Sequence, residues 1–345
     1  MRLRIVIGVV IIALAGLIMF LFWPLTQQAR GIRIQVPVHM PVEWVGQQLK
    51  EKGILSNPSG FIYTARVLGY KMVRPGSYLI PAGENMYTLT KRFRNGRQTP
   101  IQLILGNERI RLRTPLQFAS KMQRYAYTSA DSTSWITFLR SEELLASLGV
   151  DTNTVMTRLL PLTYEIYWTD PPAQVYRTFA KVWDRFWSPE RKRKAQSIGL
   201  NPTDVYILAS IVEEETQYAP DRPLIASTYL NRLRIGMRLQ ADPTAKFGSG
   251  DFTANRVTAV HLRQPSPYNT YIHTGLPPGS ICLPSIASID AVLNAPPTDY
   301  LYFVASHLFD GTSSFSSNYQ EHQKKAKRYQ EELSRRLKTK TSVSP

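Results

Sequence analysis

Apolar residues recur along this chain at two spacings, and the switches between them mark out the elements. The first stretch obeys neither spacing. Residues 5–23, IVIGVVIIALAGLIMFLFW, are uncharged and almost wholly apolar. A run of that length matches the ~20 residues that a helix needs to cross a bilayer. Arg2 and Arg4 precede it, which predicts a cytoplasmic stub over 1–4, and Phe22, Trp23 and Pro24 give its far end an interfacial character. The one Ala-x-Ala triplet, Ala13-Leu14-Ala15, lies inside the run and not after it, which favours a retained anchor over a cleaved signal peptide. The bulk of the chain would then lie outside the cytoplasm, in the periplasm or its equivalent, beyond an inner (plasma) membrane.

After a short linker, Ile32, Ile34, Val36 and Val38 alternate as in a strand, with Pro37 making it an edge strand or a strand end. Pro41 opens a helix with Val42, Val45 and Leu49 on one face, ending near Gly53; a second follows Asn57-Pro58, through Phe61, Ile62, Ala65 and Leu68 to Gly69. Arg74 to Ile80 reads as a turn and a strand, and a further helix over 86–95 stops at Asn95-Gly96. This β-α-α-β unit spans 31–100, and its pattern leaves a structural spacer and a glycan-binding module equally open. A connecting subdomain over 101–160 begins with a strand, IQLIL, and a turn at Gly106-Asn107. Residues 115–160 are mostly helical, with a Ser/Thr-rich break at 128–134. Tyr164, Tyr167 and Trp168 are assigned to core rather than to a groove. A basic amphipathic helix covers 172–197, with Val175, Phe179, Val182, Trp183 and Phe186 inward, and another covers 221–235. Residues 240–285, rich in Gly, Pro, Asn, Thr and Tyr, read as loops. Leu301–Ala305 reads as a buried strand, 319–338 as a charged helix and 339–345 as a disordered tail. The predicted fold class is α+β: one N-terminal transmembrane helix, the small β-α-α-β unit and a mixed α/β domain over 161–338.

One segment breaks its own pattern. Asn201 to Thr216 reads as a helix, with Asn201 as N-cap, Pro202 at the first position and Asp204 facing the positive end. With about 100° per residue from Val205, Ile207, Leu208, Ile211 and Val212 form an apolar arc centred near about 280°. Glu215 falls at about 280°, Glu213 at about 80° on the polar side and Glu214 at about 180° on the edge. Of three consecutive glutamates, one points inward. A carboxyl pressed against apolar surface has its pKa raised and stays protonated near neutral pH, the profile of a general acid.

Charge narrows the partners. Over 345 residues, 42 Lys+Arg against 25 Asp+Glu give a formal net charge of +17. That suits an acidic polymer, an anionic membrane surface or nucleic acid, and the N-terminal anchor argues against nucleic acid. Cys282, the single cysteine, has no disulfide or metal-binding partner of its own kind and reads as a small buried residue. The five histidines lack paired ligand spacing, and no phosphate-loop, nucleophile-elbow or zinc-protease motif occurs, so the pattern offers neither a metal site nor a cofactor.

After the Glu215 helix come Asn231, Gln240, Asp242 and Thr244, then Tyr268-Asn269-Thr270-Tyr271 and Gly275-Leu276-Pro277-Pro278-Gly279. Amides, hydroxyls and tyrosines suit a sugar, whose hydroxyl and acetamido groups they bond and whose ring faces they cover. The strings ASIVEEET, YLNRLRIGMRLQADPT, YNTYIHTGLPPGSI and YLYFVA together resemble the endolytic murein transglycosylase, or YceG-like, family. The upstream unit, with RPGSY and RFRNG, resembles that family's LysM-like domain. The resemblance implies a peptidoglycan lytic transglycosylase that cleaves the MurNAc–GlcNAc bond, leaves 1,6-anhydroMurNAc ends and ends nascent strands near peptidoglycan synthases. It places catalysis on the glutamate of the Glu215-Thr216 pair and substrate contacts on Asn231, Gln240, Asp242, Tyr268, Asn269 and Thr270. Where the family carries Glu-Gly and then Pro-Asp-Thr-Tyr, this chain has Met156-Thr157 and then Pro161-Leu162-Thr163-Tyr164. Two alternatives stand beside this reading: a hydrolytic muramidase using Glu215 and Asp242, and a non-catalytic peptidoglycan-binding scaffold.

Overall fold

The computed structural model describes residues 2–22, 26, 30–106, 111–254 and 256–342. Trp23, Pro24, the turn residue Asn107 and the last three residues of the expected tail lie outside them. The chain forms two compact units: Met1–Leu103 with Met122–Asp131 and Tyr164–Pro172, and Ile104–Lys121 with Ser132–Thr163 and Ala173–Pro345.

In the first unit, the helix Arg2–Phe22 contains a stretch, Arg4–Phe22, that is long and apolar enough to cross a membrane. The strand Ile32–Val36 pairs antiparallel with Gly76–Ile80, in register Ile34↔Tyr78. The helices Val42–Glu51 and Ser59–Val67 lie between them in sequence. Val38 does not extend the first strand; it is exposed, because Pro37 has no N–H with which to continue the ladder. A two-residue pairing of Met40–Pro41 with Met72–Val73, too short to show as a pattern, is added to the expected order. The helix Met86–Arg94 follows, capped by Asn85 accepting from Thr88 N. Val36, Val45, Leu49, Phe61, Tyr78 and Phe93 make the core. Tyr164 and Trp168 are buried, whereas Tyr167 is exposed.

The second unit is organised around the helix Pro202–Glu215. Asn201 caps it as expected, accepting from Thr203 N at 2.8 Å and Asp204 N at 3.0 Å. Every residue from Val205 to Glu213 is buried, so this helix has no solvent face. It packs on Arg222–Arg234 and Ile286–Leu293. Behind it, the Tyr206 hydroxyl donates to Leu159 O at 2.5 Å, and Met156 and Thr157 are buried in a 3-10 turn. The segment that departs from the family pattern thus serves as packing. The helix expected over 172–197 is two, Pro172–Phe186 and Pro189–Ser197, because Ser188 caps the second and Pro189 cannot donate to the first.

Residues 240–285 are less irregular than their composition suggests. They hold the helices Asp242–Ser249 and Ala259–Arg263, the former ended by Gly250 at φ +72. Helices of eight and five residues leave little periodicity. The strand Tyr302–Ala305 is not buried: among the described residues it pairs with Ser313–Ser316 alone, its first three residues are half-buried, and Ala305 is exposed. The helix Tyr319–Ser342 packs against this hairpin and runs past the expected end at 338. Cys282 is buried, its Sγ 3.4 Å from Ser210 O, and burial pushes its thiol pKa up.

Candidate active site

Three adjacent glutamates at the end of the central helix meet three different environments. Glu213 is buried, although the helical wheel places it on a polar side. With the helix packed all round, there is no such side. Its Oε2 accepts from the hydroxyls of Ser285 and Ser288, each at 2.6 Å, and its Oε1 lies 3.1 Å from Arg111 and 3.5 Å from Arg222. Burial opposes ionisation there, but the two hydroxyls and two guanidinium groups outweigh it and hold the carboxyl below its usual range. Glu213 therefore clamps its helix to Ile286–Leu293. Glu214 takes both oxygens of its carboxylate to Arg113 at 3.0 Å and lies 3.2 Å from Arg111.

Glu215 receives none of these cations. It is the last residue of the helix, which Thr216 ends in extended conformation with its hydroxyl accepting from Tyr218 N at 3.0 Å. The Glu215 carboxyl is half-buried and accepts one side-chain hydrogen bond, from the Tyr229 hydroxyl to Oε1 at 2.5 Å. Burial raises its pKa, the Tyr229 bond lowers it, and the charge of Asp242 raises it again; the balance lies at about 7. The negative end of its own helix acts in the same direction as burial. Tyr229 is buried, and burial and the neighbouring carboxylate push its phenol well above the ordinary value, so it stays a donor.

Glu215 and Asp242 stand where two cavities meet. One, of about 590 Å³, is lined also by Arg113, Lys246, Phe247, Phe252, Arg256 and Tyr329. The other, of about 320 Å³, is walled by rings: Tyr229, Tyr271, Tyr302, Phe303, Tyr319 and His322, with Arg232 and Gln240. The His322 ring stacks on Tyr302 at 5.3 Å. Asp242 is exposed and accepts from the Tyr271 hydroxyl at 2.6 Å. Arg232 is buried and bound to backbone, donating to Leu301 O at 2.7 Å and Leu239 O at 2.5 Å. Gln240 reaches the cavity from a left-handed backbone, φ +48, pinned by its N–H donating to Thr270 O at 3.1 Å. Among the described residues, no group of three His, Cys, Asp or Glu side chains is placed to hold a metal.

Of the residues expected to touch substrate, the structure brings Gln240 and Asp242 to the cleft beside Glu215. It uses the other four to build the walls from behind. The Asn231 amide donates to Thr298 O at 2.8 Å and Tyr300 O at 3.0 Å, tying its helix to the segment before the hairpin. Asn269, fully buried, donates to His261 O, Leu262 O and Gln264 O and accepts from Tyr271 N. The Thr270 hydroxyl bonds Ala241 N and Thr244. Tyr268 packs on Phe247 at 4.7 Å and against Gly279, where a Cβ would lie 2.8 Å from its hydroxyl and 2.2 Å from Asn153 O. These contacts set the positions of Gln240, Asp242 and Tyr271.

Tyr229 and Arg232 are site residues that the sequence reasoning did not single out, and Tyr271 appeared there only as part of the Tyr268–Tyr271 run. Tyr229 and Arg232 lie three apart on one helix, hence on one face, but nothing local reveals that this face meets Glu215.

Residues 34–328 match the model of the YceG-like family. The chain is 26% identical over 321 residues to the endolytic murein transglycosylase of Bacillus subtilis, covering 86% of this chain and 84% of that protein. It is 25% identical over 315 residues to the protein of the same name from Streptococcus pneumoniae, covering 84% of this chain and 57% of that longer one. Among solved structures, a YceG-like protein of Listeria monocytogenes superposes with a TM-score of 0.56 at 26% identity, over 86% of this chain and 99% of its own.

Proposed function

Because the chain belongs to the YceG-like family, we propose that it is an endolytic lytic transglycosylase, a lyase acting on peptidoglycan with Glu215 as its one acid–base residue. The observation that carries the assignment is the Glu215 carboxyl, held near pKa 7 with a single phenol donor where the two cavities meet. A glycan strand lying across both cavities would present its scissile oxygen to that carboxyl.

Protonated Glu215 gives its proton to the oxygen leaving C1 of N-acetylmuramic acid. Positive charge then develops on the sugar ring, where its own acetamido group and the fixed dipoles of the cleft stabilise it. The Glu215 carboxylate next takes the proton of the C6 hydroxyl on the same sugar, and that oxygen closes on C1. The bond to N-acetylglucosamine breaks, a 1,6-anhydro ring forms, and Glu215 ends as it began. An ordinary glycosidase needs two carboxylates. Here the nucleophile belongs to the substrate and is already at hand, which removes the entropic cost of recruiting water. The acid must be neutral before it acts and basic afterwards, and a pKa of about 7 serves both roles.

The apolar helix Arg2–Phe22 supports anchoring in the inner membrane with the bulk of the chain outside the cytoplasm. The β-α-α-β order of the first unit supports a LysM-like role in holding the glycan. Cleavage within strands near their site of synthesis would end nascent glycans. Asp242, on the wall of both cavities, favours one alternative, a muramidase that activates water.

The test is mass spectrometry of muropeptides released from purified peptidoglycan by the detergent-solubilised protein and by its Glu215→Gln variant. Anhydro ends from the wild type alone support the proposal. Ordinary reducing ends refute the single-carboxylate mechanism, and no cleavage by a folded wild type supports the scaffold.

A further inference from the structure

The two cavities beside Glu215 differ in one chemical respect: unspent positive charge lies on one side only. In the ring-walled cavity the one guanidinium, Arg232, is buried and committed to two backbone carbonyls. In the larger cavity Arg113 is committed to Glu214. Lys246 and Arg256 line the same cavity and have no carboxylate partner among the described residues. Asp242 lies one helical turn from Lys246 and would be its natural partner. No ion pair joins the two among the described residues, and Asp242 accepts from the Tyr271 hydroxyl at 2.6 Å. Phe247, Phe252 and Val257 supply apolar surface in the same cavity.

We propose that the Lys246–Arg256 cavity binds the anionic peptide stem of the muramic acid whose bond is cut, its carboxylates meeting the two cations. This rests on the lytic transglycosylase reading and deepens it. The bare sugar, N-acetylglucosamine, then occupies the ring-walled cavity, where aromatic faces suit an uncharged pyranose. The cleft thereby reads the direction of the strand. A glycan laid in backwards would put its stem against rings and leave both cations unanswered. Specificity of this kind comes from what the wrong arrangement leaves unpaired as much as from what the right one gains.

The scale is modest, because Lys246 is half-buried and Arg256 exposed. An exposed ion pair is worth up to roughly fivefold in affinity, and two set a preference of about tenfold for stem-bearing strands. Salt weakens it as the Debye length shortens.

The experiment reads binding apart from cleavage. The full chain carrying Glu215→Gln, in detergent, is titrated with fluorescent glycan strands that keep their stems and with strands stripped by an amidase. We expect about tenfold tighter binding of stem-bearing strands at low salt, falling to within about twofold near 0.5 M. Adding Lys246→Gln and Arg256→Gln should bring the ratio to within about twofold at low salt, whereas Lys246→Arg with Arg256→Lys should keep it. Equal affinities for the two strands at low salt overturn the proposal, as does a preference indifferent to salt or to the double glutamine substitution. Should the glutamine variant not fold, the salt arm on the parent protein decides. Absence of anhydro products from the wild type would instead sink the lytic transglycosylase reading and leave this ratio standing.

Discussion

Glu215 makes the protein less stable than it need be, and the cost is set by pH. Its carboxyl titrates at about 7 in the folded chain against a reference of 4.5. The unfolded chain releases this proton at lower pH than the folded one. The stability associated with the neutral carboxyl is thus fully present below about 4.5 and is lost as pH rises through about 7. The difference, 7 − 4.5 = 2.5 units, corresponds at about 1.36 kcal/mol per unit to roughly 3 kcal/mol above pH 8. Glu215→Gln keeps the shape and still accepts from Tyr229, but has no proton to lose. It should therefore match the wild type near pH 4.5 and exceed it by up to about 3 kcal/mol at pH 8.5. For a unit of this size that is a melting temperature about 5–10 °C higher. The assay is thermal unfolding of both proteins in detergent across that pH range, following the difference between them, so that every other titrating group cancels. A constant difference between pH 4.5 and 8.5, or a variant that loses ground as pH rises, would refute the idea that Glu215 is buried neutral.

Three further expectations follow from the site. Tyr229→Phe removes the one donor that favours the Glu215 carboxylate, so the alkaline limb of kcat/KM should move up by about 1–2 units from near pH 7, seen in the rate of anhydro-end formation against pH. A limb that stays put would deny Tyr229 this role. Asp242→Asn removes a charge that raises the Glu215 pKa, so its limb should move down while the products keep anhydro ends; complete loss of activity at every pH would instead favour the muramidase. Glu213→Gln breaks a buried cluster of two hydroxyls and two guanidinium groups and should cost about 3–5 kcal/mol at pH 7. Because the Glu213 pKa is lowered by folding, its contribution is present above the reference value and lost as pH falls, opposite in sign to that of Glu215. Chemical denaturation at pH 4 and 7 would show a larger gap at 7, and a smaller one would contradict the clamp.

Local rules account for what the sequence made visible. The Asn201 cap and the proline at 202 are decided within a few residues and appear as expected, while the helix stops at Glu215, one residue short of the expected Thr216. The wheel turned Glu215 inward and Glu213 outward, whereas the structure buries Glu213 and leaves Glu215 half-buried. A helix buried on all sides has no polar face, and what separates the three glutamates is where Arg111, Arg113 and Arg222 reach. Arg111 and Arg113 lie more than a hundred residues from these glutamates in sequence. The same limit explains Asn231, Asn269 and Thr270. An amide or hydroxyl among glycines and prolines looks available for sugar, but here backbone carbonyls and amides exposed by irregular chain consume it. Tyr229 was missed because its meaning lies in a contact between two helices.

Cys282 has a practical use that follows from its setting. Its thiol is sealed beneath the central helix and kept protonated, so thiol-directed reagents should pass it by in the native protein. The wild type is therefore a silent background for site-directed labelling. A single new cysteine on the outer face of the C-terminal helix, at Lys327 for example, would carry one dye or spin label beside the cleft. Distance and mobility of the cleft wall could then be followed during turnover on intact sacculi without first stripping the protein of its natural thiol.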